Sequence, residues 1–180
     1  MNRGKILDEQ LRQKVEEELS KKIGKAIEIF EVEKFDEKYI LWFQLIEEKS
    51  FRQELRYSSL EIQERFNKPD SMFLFFLSEN NPIGVFLGYQ YDSGSKNSYF
   101  VDTIAFSNEG KGLGSTFIHI MLDAHQDSGY KSIILTTEEK NERGFPLVSF
   151  YEKMGFKVIE RDEINGNVTM EYFFPNYSAQ

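Results

Sequence analysis

The chain has no cysteine, which removes disulfides, thiolate metal sites and a catalytic thiol from consideration. It has only two histidines, His119 and His125. Six residues apart in one helical segment, they do not share a face, so no two-histidine metal site is expected there. No run approaches the roughly 18 apolar residues of a membrane span. The opening stretch, MNRGKILDEQLRQKVEEELSKK, lacks the apolar core of a signal peptide and is too acidic for a transit peptide, which makes the cytoplasm the expected compartment. Basic residues are in the minority, 22 against 30 acids, for a net charge of −8. That balance argues against a nucleic-acid partner and suits a cationic small substrate. Tryptophan is nearly absent too: Trp42 stands alone beside 17 Phe and 9 Tyr, so the core is expected to be built from those rings.

What is present reads as one domain of mixed α/β type. Leu7, Leu11, Val15, Leu19 and Ile23 recur every four residues, predicting an amphipathic helix over 5–24. That helix either docks on the domain or serves a partner, including a second copy in a homodimer, so residues 1–25 are set apart from a domain spanning 26–180. AIEIFEVEKF alternates as a strand does, and a helical region over 36–66 is expected to break near Ser50. Strands follow at 71–79, 83–92 and 98–106, with a loop tip at 92–97. A helix on the stripe Leu113, Phe117, Ile120, Met121 and Ala124 comes next, then a strand at 131–137. A short helix after Pro146, closed by Gly155, leads to a final hairpin turning at 165–167.

The distinctive stretch is EGKGLGS, residues 109–115, between a strand and a helix. It lacks the spacing of a Walker A loop, and it fails the dinucleotide fingerprint because Ser115 stands where the third glycine belongs. What remains is strand, glycine turn, helix. The N–H groups at a helix start have no internal partner and carry the positive end of the helix dipole. Glycines at 110, 112 and 114 let a diphosphate approach them, while Lys111 adds a charge and Ser115 a donor.

IAF…EGKGLGSTFIHIML, then IILTTEEKN and FYEKMGF, resembles the GCN5-related N-acetyltransferases over roughly residues 98–157. The resemblance implies a single-domain acyl-CoA N-acyltransferase fold, with a mostly antiparallel sheet flanked by helices. It implies acetyl-CoA as cofactor, no metal, and a small-molecule or peptide amine as acceptor. The coenzyme A pyrophosphate would lie on Gly110, Lys111, Gly112, Leu113, Gly114 and Ser115, with Asn141 as a further contact. The pantetheine arm would pair with the strand near Ile104 and Phe106, where a backbone N–H can also stabilise an oxyanion. Tyr151 matches the tyrosine that protonates the departing thiolate.

The chain departs from the family pattern at Glu109, where arginine or glutamine is usual. It also carries an insertion at 144–146, which places Asn141 ten residues before Tyr151 instead of seven. A base must take the acceptor's proton. Asp102, read as sharing a strand face with Phe100, Ile104 and Phe106, and Glu138, just past the next strand beside Glu139, are the candidates. A catalytically silent acyl-CoA-binding module is the alternative reading, and the 36–70 and 92–97 regions would select the acceptor.

Overall fold

The computed structural model describes residues 7–92, 97–108, 110–126 and 128–175. Glu109 and residues 93–96 of the expected loop tip lie outside them. Helix α1, Glu9–Ile23, starts where the Asp8 carboxylate accepts the Leu11 N–H and stops at Gly24 in the left-handed conformation. Its four-residue recurrence buries Val15 and Leu19 completely. Strand β1, Glu28–Glu31, is shorter than the expected stretch because Asp36 turns the chain to cap helix α2, Glu37–Ser50. Helix α3, Ser59–Phe66, opens on a Ser58–Glu61 capping box, so the helical region breaks after Ser50, as expected.

Three antiparallel strands follow, β2 (Met72–Ser78), β3 (Asn81–Asp92) and β4 (Asn97–Phe106). Helix α4 (Leu113–His125) then leads to β5 (Ser132–Glu138), α5 (Leu147–Glu152), β6 (Lys157–Asp162) and β7 (Asn167–Phe173). Two boundaries differ from expectation. Lys153 caps α5, leaving Gly155 in the turn toward β6. The hairpin turns over 163–166, because Asp162 pairs with Asn167 and its carboxylate collects the N–H groups of Ile164 and Asn165.

The seven strands form one sheet in the order β1-β2-β3-β4-β5-β7-β6, in which only β4 and β5 run parallel. Helices cover both faces. One face packs α1, α4 and α5 over a cluster that includes Phe86, Phe117 and Met170. The other packs α2 and α3 over Phe43, Phe73, Phe75 and Leu87. Rings fill both layers, and each fully buried Phe is worth about 2 kcal/mol relative to exposure.

Two irregularities place the site. Strand β4 pairs with β3 as far as Phe106↔Gly84, but with β5 only as far as Val101↔Leu135. Beyond that rung the parallel strands fork, while β5 continues against β7 to Glu138↔Asn167. At the same point β4 carries a bulge: Val101 opposes Gly88 and Thr103 opposes Leu87, so Asp102 is the extra residue. A one-residue insertion inverts the side-chain alternation beyond it. Phe100 and Asp102 therefore face α2 and α3, whereas Ile104 and Phe106 face α4. This corrects the expectation that Asp102 shares a face with Ile104 and Phe106.

Candidate active site

The glycine turn sits beside the fork. Gly110 and Gly112 both hold positive φ, 74° and 71°, a conformation that side chains with a Cβ rarely adopt. Gly112 is the residue before α4, so the N–H groups of Leu113, Gly114 and Ser115 form the first turn, which has no intrahelical partners for them. A Cβ added at Gly110 or Gly114 would meet nothing within 4 Å, which leaves room above the turn. Leu113 is buried and anchors the helix start, Lys111 is exposed, and the Ser115 hydroxyl donates to the Gly112 carbonyl at 3.1 Å. The buried Ser107 hydroxyl, just after β4, has no hydrogen-bond partner among the described residues. An open turn of backbone donors, a lysine and an orphaned hydroxyl fit a bound diphosphate.

Ile104 and Phe106 lie on the arm of β4 that has left β5, so the edge of that arm is not paired to the neighbouring strand. An apolar cavity lies under the fork, lined by Val101, Leu135, Phe117, Ile118 and Phe156 among others. Tyr151 packs its ring edge-on against Phe156 and Phe150. It is half-buried, its hydroxyl has no hydrogen bond to a described residue, and burial pushes the phenol up to about 12. Full transfer of that proton to a free thiolate, whose ordinary pKa is about 8.5, would run uphill. The phenol keeps its proton and can donate a hydrogen bond.

The acids are all committed. Asp102 accepts from Arg65 Nε at 3.0 Å, from the Tyr89 hydroxyl at 2.6 Å and from the Thr103 hydroxyl at 3.1 Å. Burial and the Asp102 charge hold the Tyr57 and Tyr89 phenols far above their ordinary range. The Arg65 guanidinium lies 3.8 Å above the Tyr57 ring. Glu138 takes both arms of the Arg52 guanidinium, one at 2.9 Å, and Arg52 also reaches Glu142 at 3.5 Å and Glu54 at 3.8 Å. Glu139 pairs with Arg161. Asn141 turns inward: its side-chain oxygen accepts the N–H groups of Arg143 and Phe145, closing the inserted turn.

Sequence reasoning missed two residues here. Glu47 is buried, and both its oxygens share the Tyr57 N–H at 3.1 and 3.2 Å. Burial drives its carboxyl up to about 7. Its signal was legible, since Tyr39, Phe43 and Glu47 are four apart and an acid on that stripe must be buried. Lys22 of α1 reaches the glycine turn, and no local pattern announces that contact. Among the described residues, no three His, Asp or Glu form a group that could hold a metal ion.

The profile of the Acetyltransferase (GNAT) family matches residues 35–156, about two thirds of the sequence. The chain belongs to the GNAT acetyltransferase family. Solved structures sharing this GNAT's fold include Ard1 from Thermoplasma volcanium, with 21% identity, 82% of this chain and 97% of that one covered, and a TM-score of 0.62. Aminoglycoside 6'-acetyltransferase type Ii gives 17%, 81%, 96% and 0.63. A GNAT family acetyltransferase from Elizabethkingia anophelis with acetyl-CoA bound gives 15%, 82%, 97% and 0.57. No curated protein matches the chain. Family membership carries with it acetyl-CoA as the acyl donor and acetyl transfer as the general reaction.

Proposed function

We propose that this GNAT transfers an acetyl group from acetyl-CoA to the primary amine of a small molecule or peptide. The observation that carries this reading is the fork between β4 and β5, which opens directly beside the glycine turn of α4. Gly110, Lys111, Gly112, Leu113, Gly114 and Ser115 would hold the diphosphate, and the free edge of β4 at Ile104 and Phe106 the pantetheine arm. The bound cofactor supplies a thioester carbonyl. A backbone N–H of that edge donates to the carbonyl oxygen as charge builds on it. Holding the two reactants in line supplies part of the rate, up to roughly 7–11 kcal/mol for ideal alignment.

The acceptor enters from the α2–α3 side, where Asp102 faces away from Ile104 and Phe106 across the bulge. Asp102 serves better than Glu138 as the proton acceptor. Among the described residues, the guanidinium of Arg65 reaches only the Oδ2 of Asp102, and Oδ1 accepts the Thr103 hydroxyl, whereas both Glu138 oxygens lie in the Arg52 fork. Tyr151 donates to the sulfur from the α4–α5 side. Asn141 has only its amide N–H groups left for the cofactor, because its oxygen is taken by the inserted turn. The cytoplasm remains the proposed compartment.

The test is calorimetric binding of acetyl-CoA beside ATP and NADH, with Gly112→Asp as the negative, followed by a screen of amines for thiol release. Selective binding lost in the variant, with turnover of at least one amine, supports the reading. Failure of the wild type to bind acetyl-CoA would end it. The second reading is a silent acyl-CoA-binding module, favoured by the pairing of Asp102, Glu138 and Glu139 with arginines. It predicts tight binding and no turnover of any amine.

A further inference from the structure

Helix α1 precedes the segment that the family profile matches, yet its last turn meets the glycine turn. A Cβ built on Gly112 would stand 3.6 Å from the Ser115 hydroxyl and 4.0 Å from the Lys22 ammonium. A cation from α1 and a hydroxyl from α4 thus converge on the residue that opens the proposed diphosphate site. Lys22 is not the tip of a loose tail. Asp8 and Gly24 cap its helix, and Val15 and Leu19 lie in the same cluster as Leu113 and Phe117.

The electrostatics give this contact a purpose. The C-terminal end of α1 carries a partial negative charge and the N-terminal end of α4 a positive one, each equivalent to about half an electron. The two ends attract one another where they meet, but the negative end of α1 would repel a diphosphate bound at α4. A cation on the last turn of α1 reverses that sign. Lys21 is already paired, its ammonium 2.7 Å from Glu18. Lys22 is exposed and makes no salt bridge to a described residue.

We propose that α1 is part of the cofactor site and that Lys22 binds the diphosphate of acetyl-CoA together with Lys111. This rests on the reading of the glycine turn as the diphosphate site. Acetyl-CoA binding to the full chain should be measured by calorimetry for the wild type, Lys22→Ala, Lys22→Glu and, as a control from the same turn, Lys21→Ala. Lys22→Ala should weaken binding about five- to tenfold and Lys22→Glu further, as for loss of one charge-assisted contact to phosphate. Lys21→Ala should stay within about twofold, as for an exposed pair, and all variants should melt with the wild type.

Wild-type affinity in both Lys22 variants would overturn the proposal while leaving the acetyl-CoA site intact. A wild type that does not bind acetyl-CoA would instead overturn the site itself. 3′-Dephospho-CoA keeps the diphosphate, so Lys22→Ala should weaken its binding by the same factor. No loss with that analogue would overturn the assignment to the diphosphate.

Discussion

The Arg65 guanidinium donates to the Asp102 carboxylate at 3.0 Å and so ties α3 to the bulge in β4. The Asp102 side chain is only 3% exposed, so the pair holds a nearly buried charge. Removing one partner of such a pair is costlier than removing both. Arg65→Met should lower stability by about 3 kcal/mol, and the Arg65→Met, Asp102→Asn double variant should recover part of that loss. Urea denaturation of the wild type, Arg65→Met, Asp102→Asn and the double variant checks it, and strictly additive effects would contradict the coupling.

Tyr151→Phe removes one oxygen from a half-buried ring and nothing from the glycine turn. Turnover should fall, on the order of a hundredfold for loss of an acid-type contact, while the dissociation constant for acetyl-CoA stays put. With its phenol near 12, Tyr151 keeps its proton across the working range, so the wild-type rate should show no loss from its ionisation below about pH 10. Steady-state kinetics as a function of pH, beside calorimetry, tests both halves.

His125 is buried, its Nδ1 lies 2.8 Å from the Met121 carbonyl, and its Nε2 has no partner among the described residues. Burial lowers its pKa to about 4. The unfolded chain therefore binds the extra proton first, and stability falls as pH drops from about 6.5 toward 4. That loss should approach about 3 kcal/mol below pH 4, once the folded state is protonated as well. His125→Leu should flatten this part of the profile, as read from urea midpoints between pH 7 and 4.5.

Glu47 has the opposite sign. Its folded pKa of about 7 lies above the ordinary value of 4.5, so the folded state holds the proton longer. Stability from this group is present below about 4.5 and is lost as pH rises through 7. Glu47→Gln should therefore melt higher than the wild type at pH 8 and converge with it near pH 5. A difference that does not change with pH would show that the carboxyl does not titrate in this range.

The glycine turn, the helix behind it and the FYEKMGF segment were legible because each is a local pattern, a spacing of residue types within one or two turns of chain. So was the α1 stripe. What stayed hidden depends on partners far apart in sequence. Arg52 and Glu138 are 86 residues apart, Arg65 and Asp102 are 37, and no period connects them. The bulge was hidden for another reason. FVDTIAF alternates well enough to be read as an unbroken strand, and only the pairing with Gly88 and Leu87 reveals that Asp102 is supernumerary. An unbroken alternation put Asp102 on the face of the wrong neighbours.

That supernumerary residue makes β4 a strand with two allegiances. On the reading proposed above, Phe100, Asp102 and Thr103 would face the acceptor, and Ile104 and Phe106 the donor. On that reading, changes at Phe100, Asp102 or Thr103 would alter the choice of acceptor while leaving the cofactor's contacts in place. Deleting Asp102 would restore a regular ladder, with Val101 and Thr103 opposite Gly88 and Leu87, and would remove the carboxylate that Arg65 holds. A single extra residue thus adds a carboxylate to the α2–α3 face without altering the pairing of Ile104 and Phe106 with β3.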